Sequence, residues 1–279
     1  LIADASTVGT YGGTPFSYMS IQGSKSHKTD LHTVTANAIG INRDDAKILN
    51  YGRLYGAGIE FAKSMIKQYQ PELTENEATI KAVFLYNFTK GLKCVELTTK
   101  GEELALELKL DPKTILSSND FQKLMWKAKI SSIDQIEYGR LFWKGGTESE
   151  IFNILDLFTK CNVAATPILN VAIPRPLLPN YVNDEFTTSR MNWVVQSSAV
   201  DFLHMFLVTC FWLFSILKIP ARLALCIHDE IRFMVPIDKR YEAAFALHIA
   251  NLYTRCAFSQ KLGIYDLPQS CAFFSGVDI

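Results

Sequence analysis

The sequence predicts an α+β fold, mostly helical with a small antiparallel sheet, and three observations carry that prediction. Apolar residues recur at helical spacing along much of the chain, and Thr-x-x-Glu signatures mark helix starts at Thr74 and Thr147. Near the C-terminus, two short apolar runs flank His228-Asp229-Glu230 as the strands of a hairpin would.

Taken in order, residues 1–30 are rich in glycine, serine and threonine and read as irregular structure with a short element around 16–21. A helix over about 29–39 ends at Gly40. Asn42 caps the next, whose first turn carries Asp44 and Asp45 where the helix dipole favours negative charge. At Thr74-Glu75-Asn76-Glu77 and Thr147-Glu148-Ser149-Glu150, each threonine and the glutamate three residues on can satisfy each other's exposed amides, so two more helices start there. The first carries Ile80, Val83, Phe84 and Phe88 at helical spacing, and the second Ile151, Ile154, Leu155 and Phe158. Residues 92–142 are polar and weakly patterned, and read as an inserted, mostly helical segment. Prolines 167, 174, 176 and 179 mark an extended connector and a domain boundary, after which a long helix runs over about 189–217. The runs 223–227 and 231–235 form a tight hairpin with acids at its tip, and a helix over 240–260 and a strand in 271–279 complete this half.

Composition bounds the function. With 279 residues, 48% of them hydrophobic and 20% charged, the chain is globular, large enough for one big domain or two ordinary ones. Its six cysteines show neither CxxC spacing nor the density of a secreted scaffold, which argues against a zinc site and points to a reducing compartment. Lysine plus arginine balances aspartate plus glutamate at 28 each, so a surface for nucleic acid must be local. The apolar run 202–217 is shorter than the roughly 20 residues of a membrane span and contains His204, so it reads as a buried helix and no membrane partner is expected. A first residue other than methionine leads to the expectation that the chain is a piece of a longer one.

The helix that starts at Asn42 carries the most chemistry. Arg43, Lys47, Tyr51 and Tyr55 recur every four residues, about 400° of rotation and about 6 Å of rise, so they form one slowly drifting stripe. Two cations followed by two rings suit a nucleoside triphosphate, whose phosphates need spread positive charge and whose base needs a flat face. The same spacing fits solvated cations with inward-packed tyrosines. Gly52 and Gly56 hint that something approaches the backbone closely there. Lys28 and His32 are further candidates for phosphate. The carboxylates at the hairpin tip could bind a hard divalent cation, although turns favour aspartate in any case. Asn192 and Gln196, four apart on an apolar helix, read equally as a ligand-facing pair or as a turn in solvent.

Together these elements resemble family A DNA polymerases. Residues 43–56, RDDAKILNYGRLYG, resemble the family's motif B; His228-Asp229-Glu230 resembles motif C; and QSSAVD, residues 196–201, resembles the glutamine-bearing helix between them. KTDLHTVTANAIGI, WKGGTESEIFN, MNWVVQSSAVDFLH and LPQSCAFFS are similar to the mitochondrial branch of the family. The resemblance implies a mostly helical fingers subdomain over 11–189 and part of a palm over 190–279, with 1–10 as a palm remnant. It also implies a DNA-directed DNA polymerase of mitochondria that adds deoxynucleotides to a primer by two-metal phosphoryl transfer. Arg43, Lys47 and His32 would hold the triphosphate, Tyr51 would pack on its sugar and Tyr55 stack at the templating site. Arg190, Asn192, Gln196 and His228 would contact primer-template DNA. Lys47, Asp229 and Glu230 would form the catalytic set, with Asp229 binding magnesium. An accessory processivity subunit is a further implied partner.

One departure matters. The family's motif A, an Asp-x-x-Ser-x-Glu-like pattern that supplies a second metal-binding aspartate, is not found here, and Asp4 is the sole early acid. One aspartate cannot hold a pair of ions, so the 279 residues by themselves are expected to be nearly inactive. Two alternatives stand beside this reading. One is a non-catalytic nucleotide- or DNA-binding module; the other is a single-subunit RNA polymerase, disfavoured by Glu230 where those enzymes resemble His-Asp-Ser.

Overall fold

The computed structural model describes residues 18–111, 115–131, 134–161, 163–182, 186–228, 230–263 and 275–279. Contacts divide the chain into two compact units. The first comprises His32–Arg53 and Ala57–Asp156; the second comprises Leu54–Gly56, Leu157–Ile279 and the described residues before His32.

In the first unit, α1 (Leu31–Ile39) stops at Gly40, whose amide still donates to Ala36 O at 2.8 Å. Then α2 (Arg43–Leu54) begins at Asn42, whose Oδ1 accepts the Asp45 amide at 2.8 Å. This is the cap the sequence predicts. Helices α3 (Ile59–Tyr69) and α4 (Glu75–Thr89) follow, and the capping box at α4 forms in full. The Thr74 amide and hydroxyl each donate to Glu77 Oε2 at 2.7 Å, and Thr74 Oγ1 accepts the Glu77 amide at 3.2 Å. Ile39, Leu49, Ala62, Ile66, Ala82 and Leu85 make one core between these helices. Tyr86 joins its edge and donates its hydroxyl to Ala57 O, and burial pushes the phenol up to about 12.

Residues 92–142 depart from the helical expectation. Three strands, β1 (Leu92–Leu97), β2 (Ile115–Ser117) and β3 (Gly139–Lys144), pair antiparallel in the order β2-β1-β3. Helices α5 (Thr99–Glu107) and α6 (Ser118–Lys127) supply the other layer. Val95 and Leu97 alternate inward on β1 and bury against Phe121, Leu124 and Met125 of α6. The signal was short: β1 offers two inward apolar residues, and β2 has three residues in all.

The helix expected after Thr147 is α7 (Ser149–Lys160), but its predicted capping box does not form. Ser149 Oγ accepts the Gly146 amide at 2.8 Å and donates to Lys90 O at 2.9 Å, while Thr147 Oγ1 and Glu150 Oε2 have no hydrogen-bond partner. Glu148 is instead drawn wholly into the interior.

In the second unit a bridge between Ala165 and Ala172 and a short helix, α8 (Pro179–Val182), lead into α9 (Thr187–Ile216). The buried carboxylate of Asp201 accepts the Ile168 and Leu169 amides at 3.0 and 2.9 Å, which ties the connector to α9. By length and composition alone α9 is long and apolar enough to cross a membrane, a test that core helices also pass. Within the unit, Phe206, Cys210, Leu213 and Phe214 of α9 form a core with Ala243, Ala246 and Ala250 of α10 (Arg240–Leu262). Strands β4 (Arg222–Ile227) and β5 (Glu230–Met234) form the predicted hairpin, with Ile227 opposite Glu230. Of the strand expected in 271–279, residues 271–274 lie outside the described residues. Residues 275–279 are irregular, with Ser275 Oγ held 2.7 Å from Asn251 Nδ2. Residues 1–10 also lie outside the described residues.

Candidate functional site

The first unit carries three of the stripe residues on one exposed face of α2, since Arg43, Lys47 and Tyr51 are each one turn apart. Lys47 Nζ lies 5.9 Å from the centroid of the Tyr51 ring, and the His32 ring meets Tyr51 edge-on with centroids 5.7 Å apart. Tyr51 is 43% exposed. Cation, ring and imidazole are therefore gathered at one place, while Tyr55, the fourth residue of the stripe, falls beyond the end of the helix.

The opposite face of α2 was not read from the sequence. Ala46, Leu49, Asn50 and Arg53 are all buried, at the i, i+3, i+4, i+7 spacing of a core face. A charged residue at such a position signals a buried partner, and here it is Glu148. Both Arg53 Nη atoms donate to the Glu148 carboxylate, Nη2 at 2.9 Å, and Nη2 also donates to Asn50 Oδ1 at 2.7 Å. Asn50 Nδ2 in turn lies 3.1 Å from His32 Nδ1. This part of the site needed the partner 95 residues away, which no local pattern reveals.

The glycines have structural causes. A Cβ at Gly52 would sit 2.5 Å from the Phe61 ring of α3. At Gly56 the backbone takes φ +91°, and a Cβ would press on Thr188 and Met191 of α9. What approaches the backbone in both places is protein rather than a ligand.

In the second unit, Tyr55 lies in the turn after α2 ends, and its hydroxyl oxygen accepts from Gln196 Nε2 at 2.7 Å. Asn192 is exposed one turn before Gln196 on α9. Arg190 is only 2% exposed, with Nη2 3.3 Å from Thr187 Oγ1, so its guanidinium does not face solvent. His228 is exposed at the hairpin tip with φ +53°, the left-handed conformation favoured there by a two-residue hairpin turn. Glu230 pairs with Arg232 across 2.5 Å. An open groove of about 1070 Å³ is lined by Gln196, Phe202, His228, Glu230, Arg240 and Leu247, among others. Asp229, expected to bind metal, lies outside the described residues, as does Asp4.

Magnesium wants several hard oxygen donors in one place. Among the described residues no group of three or more carboxylate, imidazole or thiolate side chains comes together, and Glu230 lies in an ion pair with Arg232. The described donors therefore do not by themselves fit a magnesium centre.

Comparison with protein-family models gives no match. Curated relatives do match over the whole of this chain. DNA polymerase subunit gamma-1 of Gallus gallus is 45% identical over 287 aligned residues, 100% of this chain and 44% of that protein. DNA polymerase gamma, mitochondrial, of Neurospora crassa is 41% identical over 280, and DNA polymerase gamma of Saccharomyces cerevisiae 39% over 280. The chain spans 17% and 19% of those two proteins. Among solved structures, the POL domain of Pol1 from M. smegmatis, in complex with DNA primer-template and dNTP, is 14% identical and covers 82% of this chain and 31% of that chain, at a TM-score of 0.46. These matches cover the whole of this chain but less than half of each relative, and each of those relatives is a DNA polymerase by name. Over its whole length the chain is similar to a segment of the DNA polymerase gamma proteins.

Proposed function

We propose that this chain serves a mitochondrial DNA-directed DNA polymerase, in which it holds the incoming deoxynucleotide and the primer end. The observation that carries this reading is the cluster of Lys47, Tyr51 and His32 at α2, in a chain matched throughout by DNA polymerase gamma. In the reaction the primer 3′-hydroxyl attacks the α-phosphorus of the deoxynucleotide and pyrophosphate leaves. Arg43 and Lys47 supply fixed positive charge to the phosphates, and Lys47 offsets the charge that grows on the leaving group. His32 adds a hydrogen bond to the triphosphate, and the Tyr51 ring gives the sugar an apolar wall. Tyr55, held by Gln196, is assigned to the templating position, and Asn192, Gln196 and His228 to primer-template DNA. Arg190 is assigned a supporting part from within the unit, because it is buried.

The fingers would span 11–189 and the palm 190–279, with 1–10 as a palm remnant. Magnesium binding at Asp229, the role of Glu230 beside it and an accessory processivity subunit rest on the resemblance alone. The test is single-nucleotide extension of a primer-template by the full-length protein. Addition of the template-matched nucleotide, with deoxynucleotides preferred over ribonucleotides, is expected. Primer-template binding without extension would contradict the proposal and favour a non-catalytic binding module.

A further inference from the structure

The buried side of α2 bears on how its exposed side works. A guanidinium has only donors, so the Asn50 atom 2.7 Å from Arg53 Nη2 must be the amide oxygen. The amide nitrogen then faces His32 Nδ1 at 3.1 Å. That nitrogen can only donate, so Nδ1 must accept, and the proton of the neutral imidazole lies on Nε2. The Thr35 hydroxyl, 3.1 Å from Asn50 Nδ2 and 3.2 Å from Oδ1, steadies the amide from a second side. Arg53 cannot turn away, because both of its Nη atoms are engaged with the Glu148 carboxylate.

We propose that Asn50, oriented by the buried Arg53–Glu148 pair, is a positioning residue that sets His32 as the Nε2–H tautomer, able to donate to a phosphate oxygen of the nucleotide. The sign of the interaction depends on it: with the proton on Nδ1, an Nε2 lone pair would meet an anionic oxygen and repel it. Asn50, Arg53 and Glu148 are 0%, 2% and 0% exposed, so water does not compete for the bonds among these three. The inference rests on the reading of His32 as a triphosphate ligand.

The test is a double-mutant cycle in the full-length protein, read as the dNTP KM of single-nucleotide incorporation. His32→Ala is expected to raise KM roughly tenfold, the usual worth of a hydrogen bond to a charged group. Asn50→Leu is expected to raise KM by a similar factor with a smaller effect on kcat, and to add nothing once His32 is alanine. Combined with Arg43→Ala, its effect should multiply in full, since Arg43 does not depend on the relay. Thr35→Val removes one support of the amide while leaving the ion pair whole, and is the second variant should Asn50→Leu fail to fold. It should give a smaller KM rise, again abolished in the His32→Ala background. If His32→Ala leaves KM unchanged, the reading of His32 itself falls and the relay with it. If His32→Ala raises KM but Asn50→Leu or Thr35→Val acts with equal strength in its absence, the relay alone is overturned.

Discussion

Arg53 and Tyr51 sit two positions apart on one helix and face opposite ways, and their roles divide accordingly. Arg53 is enclosed with Glu148, both within 2% of full burial. Removing one partner of such a pair leaves a charge without water or counter-ion, so Glu148→Ala should destabilise the fold by about 3–5 kcal/mol, measured by urea unfolding. A loss within experimental scatter of zero would mean that water reaches the guanidinium. Tyr51, half-exposed beside Lys47 and His32, is predicted to act on substrate choice rather than stability. Tyr51→Phe should reduce incorporation of dideoxynucleotides relative to deoxynucleotides with little change in unfolding midpoint, and unchanged discrimination would remove the ring from the sugar. Of these residues the sequence made Tyr51 legible, because the stripe 43, 47, 51 is periodic and bears cations and a ring. Arg53 was equally periodic with Ala46 and Leu49 on the other face. Its meaning stayed hidden because Glu148 comes from a distant segment.

At the scale of the element, the two Thr-x-x-Glu signatures look alike in sequence and differ in structure. The box at Thr74 closes at the surface, with Thr74 and Glu77 both exposed. At Thr147 the adjacent Glu148 is pulled inward by Arg53, the chain turns to accommodate it, and Ser149 takes over the local amide contacts. A pattern that rests on local geometry is thus overridden by a buried charge pair. The formed box has a pH signature. The Thr74 amide, and then its hydroxyl, hold the Glu77 carboxyl below its ordinary value of 4.5. A carboxylate depressed in the folded state adds stability that is fully present above the ordinary value and fades as pH falls through the depressed one. Glu77→Gln should therefore lose stability at neutral pH and differ progressively less from the parent below about pH 4, followed by thermal unfolding across that range. A difference that stays constant with pH would show that the carboxylate makes no charge-dependent contribution. The sheet β2-β1-β3 was the least legible element, since strands this short owe their pairing to α6 packing over Val95 and Leu97 rather than to any pattern of their own.

For the whole molecule, a net charge of zero hides a local arrangement. The cations assigned to the nucleotide are Arg43 and Lys47 on one face of α2, beside the core that α1 to α4 make. The α+β class, the long helix α9 and the hairpin at His228 were legible because each rests on strong periodicity or on turn chemistry. The division into units was not, because Leu54–Gly56 groups with residues more than 100 positions later. The central claim is that the exposed face of α2 holds the incoming nucleotide of a DNA polymerase. The most direct test is the steady-state kinetics of single-nucleotide incorporation by the full-length protein carrying Lys47→Ala, with its unfolding midpoint measured alongside. A fall in kcat/KM for the deoxynucleotide on the order of 100-fold, with the midpoint preserved, is predicted from the loss of a charge aimed at the phosphates. Unchanged kcat/KM in a folded protein would contradict the claim.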